Sequence, residues 1–411
     1  MLSRFRVLDL TDASGFLAGR ILAELGAEVL KLEPPGGDPD RRRGPRLGAA
    51  GRETSLRWLA GNASKKSAFL DLETLEGRET LVALCTRADV MLECFPPGWL
   101  AARGLGRDRL EREAPALVHC SVTPFGSDGP YAHHRASDLI VVAMGGNAAL
   151  TGDPDRAPLR CSAPTSAFHA APEAALGIVM ALYAREHGGY GQHVDVSLQE
   201  CQLATLLGGP GQFARSGRVP RRGGARTGRT REIWPARDGH VTFGLRGGPA
   251  RIPNLVATVK LMVERDLAPV WLQQLDWSRY NHNTLSEPEI QRLEEAFGAF
   301  FRTQTLRELY QEALGRRILL APCNDAREVL EHEQLRSRDF FASVPSPEPG
   351  RQLELPSAFA RSSRHRIGVR GAAPEAGEHA EEVLAILDGP PTPPPAPRGS
   401  APDPGGVFEG L

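Results

Sequence analysis

A chain of 411 residues is too long for one ordinary core, so two domains, or one large domain carrying an insertion, is the expected organisation. Apolar residues make up 41% and charged residues 24%, and 49 Lys and Arg nearly cancel 50 Asp and Glu, so nothing in the balance calls for nucleic acid or an anionic membrane surface. The opening MLSRFRVLDLTD passes straight into strand-like residues without a charged leader and apolar core segment, and no window approaches the roughly 18 apolar residues of a membrane span. Cys85, Cys94, Cys120, Cys161, Cys201 and Cys323 show neither CxxC nor Cys/His ligand spacing, so they read as reduced core thiols of a cytoplasmic protein, with no metal site.

The run RVLDL from Arg6 is followed by the loop TDASG and by FLAGRILAELGA, in which Leu17, Ile21, Leu22 and Leu25 share one helical face. VLKLE (Val29 to Glu33) is a second strand. This βαβ opening has strands too apolar to alternate, which suits a parallel sheet covered on both faces. The alternation continues through SAFLDL (strand), LEGRETLVALCTRA (helix), DVMLECF (strand) and ALVHCSVTPFG (strand into a Gly-Pro loop). A helix is expected from Pro172 to Arg185, with Pro at its start, where a missing N–H costs nothing. HVDVSLQECQLATLL reads as a strand and a helix.

From Gly208 to about Arg231 the composition turns to Gly, Arg and Pro, the mark of a linker or solvated loop. A second unit opens with IWPARDGHVTFGL, two strands around the Asp238-Gly239 turn, and continues through helices near Ile252 to Glu264 and Glu287 to Leu314. After strand-like pieces and a last helix, GEHAEEVLAILDG, the tail from Pro390 is too rich in Pro and Gly to pack and is expected to be disordered.

Several phrases occur in one order: RVLDLT, ILAELGAEVLKLEPPGGDPDRR, LDLETLEGRETLVAL, RADVMLECFPPGWLAARGLG, ALVHCSVTPFGSDGPY, SDLIVVAMGG, LTGDPDRAPLR, GQHVDVSLQE and a late GEHAEEVL. From about Phe5 to Leu387 this order resembles the family III CoA-transferases, the group of formyl-CoA transferase, carnitine CoA-transferase and the α-methylacyl-CoA racemases. The resemblance implies an α/β fold in which a Rossmann-like large domain is built from both chain ends, a smaller α+β domain is inserted, and two subunits interlock. On that reading residues 1–207 form the first part of the large domain, 208–232 the linker, 233–322 the small domain, 323–389 the return to the large domain and 390–411 the disordered tail.

It also implies an acyl-CoA and a carboxylic acid as substrates, with CoA as substrate rather than tightly bound cofactor. The Thr11 to Gly15 loop, between a strand and a helix N-terminus, offers free N–H groups to a phosphate. By the resemblance, CoA contacts fall on Asp12, Ala13 and Ser14, on Leu70, Asp71 and Leu72, on Cys94, Phe95 and Pro96, and on Arg103, Arg135 and Asp138. Two departures stand out. Cys94 occupies a place that is commonly Asn, and the arginine of Ala102-Arg103-Gly104 stands one residue late.

Transferases of this family resemble one another in using an Asp carboxylate that attacks the thioester and passes through an anhydride to an aspartyl-CoA thioester. Here the corresponding stretch is Arg160-Cys161-Ser162-Ala163-Pro164-Thr165-Ser166-Ala167-Phe168-His169, and the aspartate place falls on Ala167. A methyl group cannot be acylated. Racemase chemistry lacks both proton-transfer groups, because Ser137 precedes Asp138 where a His is needed. Ser166, with Thr165, His169 and Glu173, is the candidate for a relocated nucleophile; a capped helix start with a packed His is the plainer reading. The phrases DWSRYNHNTLSEPEI and LLAPCNDAREV are similar to those of the benzylsuccinate-type enzymes, heteromers in which one subunit carries the Asp and the other does not. Three functions follow as expectations: a CoA-transferase subunit dependent on an Asp-bearing paralogue, a non-catalytic acyl-CoA-binding protein, or a homodimeric enzyme with a relocated nucleophile.

Overall fold

The computed structural model describes residues 1–48, 53–357 and 359–391; of the tail expected to be disordered, 392–411 lie outside the described residues. The chain separates into two compact units. The larger comprises Met1–Asn147, Arg160–Arg215 and the chain from Arg336 onward, and the smaller comprises Ala148–Leu159 and Ser216–Leu335.

Six strands form the centre of the larger unit: β1 (Arg6–Leu10), β2 (Glu28–Glu33), β3 (Lys66–Phe69), β4 (Val90–Glu93), β5 (Val118–Thr123) and β6 (His193–Ser197). All pair in parallel, in the order β3-β2-β1-β4-β5-β6. Their residues alternate between two apolar layers, as the period-2 geometry of a strand requires. Val7, Val29, Val90, Leu92, Cys120 and Val122 pack under α1 (Phe16–Glu24) and the long helix Thr165–Gly188. On the other face Leu8, Leu30 and Met91 pack under α2 (Leu75–Cys85) and α3 (Arg107–Glu113), with Ile386 of the last helix, Ala380–Asp388. The C-terminal chain is tied to this sheet: the backbone N–H of His379 donates to the Ser67 carbonyl at 2.7 Å, and that of Gly377 to the Ser67 hydroxyl at 3.0 Å.

Between β5 and β6 lie α4 (Asp138–Met144) and α5, which spans Thr165–Gly188 and so starts seven residues before the Pro172 expected to open it. The Ala-rich first two turns favour helix, and Asp138 binds the free Ser166 N–H, so the start is capped ahead of the proline. Its 24 residues are long and apolar enough to cross a membrane, which the sequence reading had not found. Here Ala170, Ala171, Ala174, Ala175 and Ile178 are instead buried against the sheet, as in a core helix.

In the smaller unit Ile233–Pro235, His240–Phe243 and Leu320–Pro322 make an antiparallel sheet. Trp234, Phe243, Phe297 and Phe301 form its aromatic core. The single helix expected from Glu287 to Leu314 is two, Glu287–Arg302 and Leu306–Arg316, divided where Thr305 and Glu308 form a capping box. The expected 208–232 linker is structured: Gly209–Ser216 is helical, and Arg226–Thr227 pairs with Thr230–Arg231 around Gly228, whose φ of +63° suits a residue without Cβ. Its arginines are not merely solvated, since Arg226 grips both carboxylate oxygens of Glu294 at 2.7 and 2.6 Å. Residues 148–159 and 323–335 also group with this unit rather than with the larger one.

Candidate active site

The strand order reverses direction between β1 and β4, and an open parallel sheet binds ligands at the carboxyl ends of such strands. A crevice of about 400 Å³ lies there. It is lined by Thr11 and Asp12 after β1, by Leu70, Asp71, Leu72 and Glu73 after β3, and by Cys94, Phe95 and Pro96 after β4.

Beneath the β1 turn sits a buried charge cluster. Lys65 Nζ donates to Asp9 Oδ2 at 2.7 Å, to the Phe16 carbonyl at 2.8 Å and to Asn62 Oδ1 at 2.8 Å. Burial alone would raise the Asp9 carboxyl, but the Lys65 and Lys31 ammonium groups outweigh it and hold it below its ordinary value. Burial lowers Lys65 to about 8, against the opposing pull of Asp9. Lys31, itself 1% exposed, donates to the Thr11 carbonyl at 2.6 Å and lies 3.8 Å from the carboxylates of both Asp9 and Asp38. The turn is therefore fixed from below. It is also fixed by close approach: a Cβ on Gly15 would stand 2.5 Å from Thr11 and 2.8 Å from the Cys94 sulfur, and one on Gly19 2.2 Å from Asp9 Oδ2. Ser14 N–H donates to Asp12 and Ala13 N–H to Asp40.

Burial first, then the charges of Asp12 and Glu93, push the Cys94 thiol well above its usual value, which disfavours the thiolate. Phe95 and Trp99 stack at 4.1 Å between centroids, and the Arg103 guanidinium lies 3.7 Å over the Trp99 ring while pairing with Glu73 at 2.8 Å. The late arginine is thus turned toward Glu73, a crevice residue. Arg43 is likewise engaged, by Asp40 at 3.0 Å. Sequence reasoning missed Lys31, Trp99, Asp38, Asp40 and Arg43. The lysine interrupting the buried strand VLKLE and the acidic PGGDPDRR stretch were the available signals.

Of the expected contacts, Ala13, Ser14, Arg103, Arg135 and Asp138 do not line this crevice. Arg135 is exposed, and Asp138 caps α5: its Oδ1 accepts from Ser166 N–H at 3.0 Å and from Ser166 Oγ at 2.7 Å. Ala167 is buried in the next position of that helix. Ser166 Oγ is held by Asp138, and His169 Nδ1 accepts from Gln202 Nε2 at 3.3 Å, so the packed histidine of the plainer reading is what the structure has. Thr165 is partly exposed and Glu173 is exposed.

A six-stranded parallel sheet with a crevice at its switch point places the chain in the doubly wound α/β class. Comparison makes this specific: the model of CoA-transferase family III matches residues 2–380, and the chain belongs to that family. It is 31% identical over 385 residues to succinyl-CoA:(R)-benzylsuccinate CoA-transferase subunit BbsE of Thauera aromatica, covering 93% of each chain. Against succinyl-CoA–D-citramalate CoA-transferase of Chloroflexus aurantiacus it is 31% identical over 93% of each, and against formyl-CoA:oxalate CoA-transferase of Streptomyces coelicolor 30% identical over 93% of this chain and 94% of the other. A crystal structure of a CAIB/BAIF family protein from Brucella suis superposes with a TM-score of 0.81 at 25% identity, covering 93% of this chain and 98% of that one.

Proposed function

We propose that this chain binds an acyl-CoA in the crevice over β1 and β4 and serves as the subunit of a CoA-transferase that lacks the acylated aspartate, the carboxylate being supplied by a paralogous subunit. The single observation that carries this reading is Ala167, a buried methyl at the first turn of α5, where the family resemblance sets the Asp. The names of two relatives, both succinyl-CoA-dependent transferases and one a subunit, favour succinyl-CoA as donor and a carboxylic acid as acceptor.

In the crevice, a diphosphate on the Thr11 to Gly15 turn displaces the carboxylates that now accept from it, Asp40 on the Ala13 N–H and Asp12 on the Ser14 N–H, and the Phe95–Trp99–Arg103 stack offers a flat face to the adenine. Arg103 and Arg43 are held by Glu73 and Asp40, so phosphate oxygens must compete with those carboxylates. The acceptor acid needs no cofactor. A partner subunit is supported by the exposed apolar side of α5, where Phe168, Leu176, Met180 and Tyr183 are 47 to 70% exposed beside a groove of about 520 Å³ walled by Leu17, Ile21 and Phe359. A patch of this kind marks a protein interface. Six free cysteines suit a reducing, cytoplasmic setting.

The Ser166–Asp138 contact favours one second reading, a serine acylated in place of the aspartate. The same Oδ1 accepts the Ser166 N–H and the hydroxyl is buried, so the contact serves the helix start. The test is transfer from succinyl-CoA to a panel of acids by the purified chain, with and without the co-expressed Asp-bearing paralogue, followed by mass spectrometry. Transfer only by the pair supports the proposal; an acyl adduct on Ser166 of the lone chain supports the second reading and overturns the first.

A further inference from the structure

In the turn after β1, two N–H groups are held by side-chain carboxylates that a ligand could displace. Ala13 N–H donates to Asp40 Oδ2 at 3.3 Å, and Ser14 N–H to Asp12 Oδ1 at 2.8 Å. Their neighbours are committed more firmly: Thr11 N–H donates to Asp9, which Lys65 locks from below, and the N–H groups of Gly15 and Phe16 donate to the Asp12 carbonyl.

The two displaceable carboxylates differ. Asp12 is exposed and belongs to the turn itself, whereas Asp40 is 8% exposed and reaches in from the short helical turn Pro39–Arg42 that follows β2. The second Asp40 oxygen, Oδ1, pairs with Arg43 at 3.0 Å. A single carboxylate thus covers an N–H close to the N-terminus of α1 and engages a guanidinium that lines the crevice, the two kinds of donor that a phosphate oxygen uses.

The backbone under Asp40 is tied down separately from its side chain. Asp38 Oδ1 accepts the Asp40 N–H at 2.8 Å, while Glu33 Oε2 accepts the Asp38 N–H at 2.9 Å and Arg41 Nε at 2.7 Å. A displaced Asp40 therefore rotates about its side-chain bonds only, and its charge stays at the crevice. The lining there already holds five acids (Asp12, Asp38, Asp40, Asp71 and Glu73) against two bases, a net charge of −3, which opposes a polyanion. We propose, on the acyl-CoA reading of this crevice, that Asp40 sets its phosphate specificity: the carboxylate occupies the phosphate seat between Ala13 and Arg43, and a nucleotide ligand must turn it aside. Asp40 is then a built-in competitor for phosphate, and a ligand without phosphate is indifferent to it.

The experiment is titration calorimetry of CoA, adenosine 5′-diphosphate and adenosine into the full chain and into Asp40→Asn and Asp40→Ala, with melting temperature as the control for folding. Both substitutions remove the charge, free Arg43 and leave the backbone bonds to Asp38 and Glu33 in place. CoA and the diphosphate are expected to bind at least about tenfold tighter to the two variants, as a charged competitor leaves two donors, with adenosine unchanged. CoA binding by the unsubstituted chain with no gain in the folded variants would overturn the role of Asp40 and leave the crevice as the CoA site. A gain shared equally by adenosine would overturn it too, because Asp40 would then only shape the crevice. Binding of neither CoA nor the diphosphate by any of the three chains, each with an intact melting transition, would overturn this proposal and the acyl-CoA reading together.

Discussion

The crevice over β1 and β4 and the start of α5 belong to the same sheet unit, yet they are built on different terms. Under the crevice four buried charges, Asp9, Lys31, Lys65 and Asp38, lie together, with Lys65 filling all three of its donor positions on Asp9, Asn62 and Phe16. At the start of α5 the polar groups serve only the helix, and the position expected to react is a methyl. On the proposed function this contrast separates binding from chemistry: the crevice receives CoA while the nucleophile comes from another subunit.

Restoring the nucleophile is the sharpest way to break that contrast. Ala167→Asp in the single chain is expected to raise succinyl-CoA transfer by about three orders of magnitude or more over the unsubstituted chain, because removal of a nucleophile typically costs at least that much. Rates are to be followed by loss of the donor thioester; no gain would mean that the surrounding site has also diverged.

On the crevice side, Lys65→Met leaves Asp9 without its nearest counter-charge and is expected to cost about 3 kcal/mol in urea unfolding, since breaking a buried pair strands a charge. The pH dependence has a definite sign. Asp9 is depressed in the folded chain, so its contribution is complete above the unfolded carboxylate value of about 4 and is lost as pH falls through the lower folded value. In Lys65→Met the acid limb of the stability profile should move to higher pH; an unmoved limb would remove Asp9 from the account.

Smaller effects probe the ligand face. Trp99→Ala, which takes away the ring beneath Arg103, should weaken CoA binding about tenfold in a chain that melts at a lower temperature but still cooperatively, since the ring both stacks on Phe95 and packs against the core. Glu73→Gln releases Arg103 and should tighten CoA binding about twofold to threefold, in keeping with the small worth of an exposed ion pair. Weaker binding in Glu73→Gln would show that Glu73 itself contacts the nucleotide.

Much of the sheet was legible because its strands are short apolar runs between helical patterns. The start of α5 was not, since Pro172 reads as a first-turn residue unless the Asp138 cap, which comes from another helix, is known. The contacts of Arg103 with Glu73 and of Asp40 with Ala13 join residues from separate loops; no local spacing encodes them. Lys31 was visible as a charge inside a buried strand, but its role needed the Thr11 carbonyl above it.

The central claim is that the lone chain binds CoA without transferring it. Calorimetric titration of CoA into the same preparation used for the transfer assay tests this directly: a saturable isotherm with no thioester exchange is the predicted result, whereas transfer by the lone chain at the rate of the heteromer, or no CoA binding by a folded chain, would contradict it.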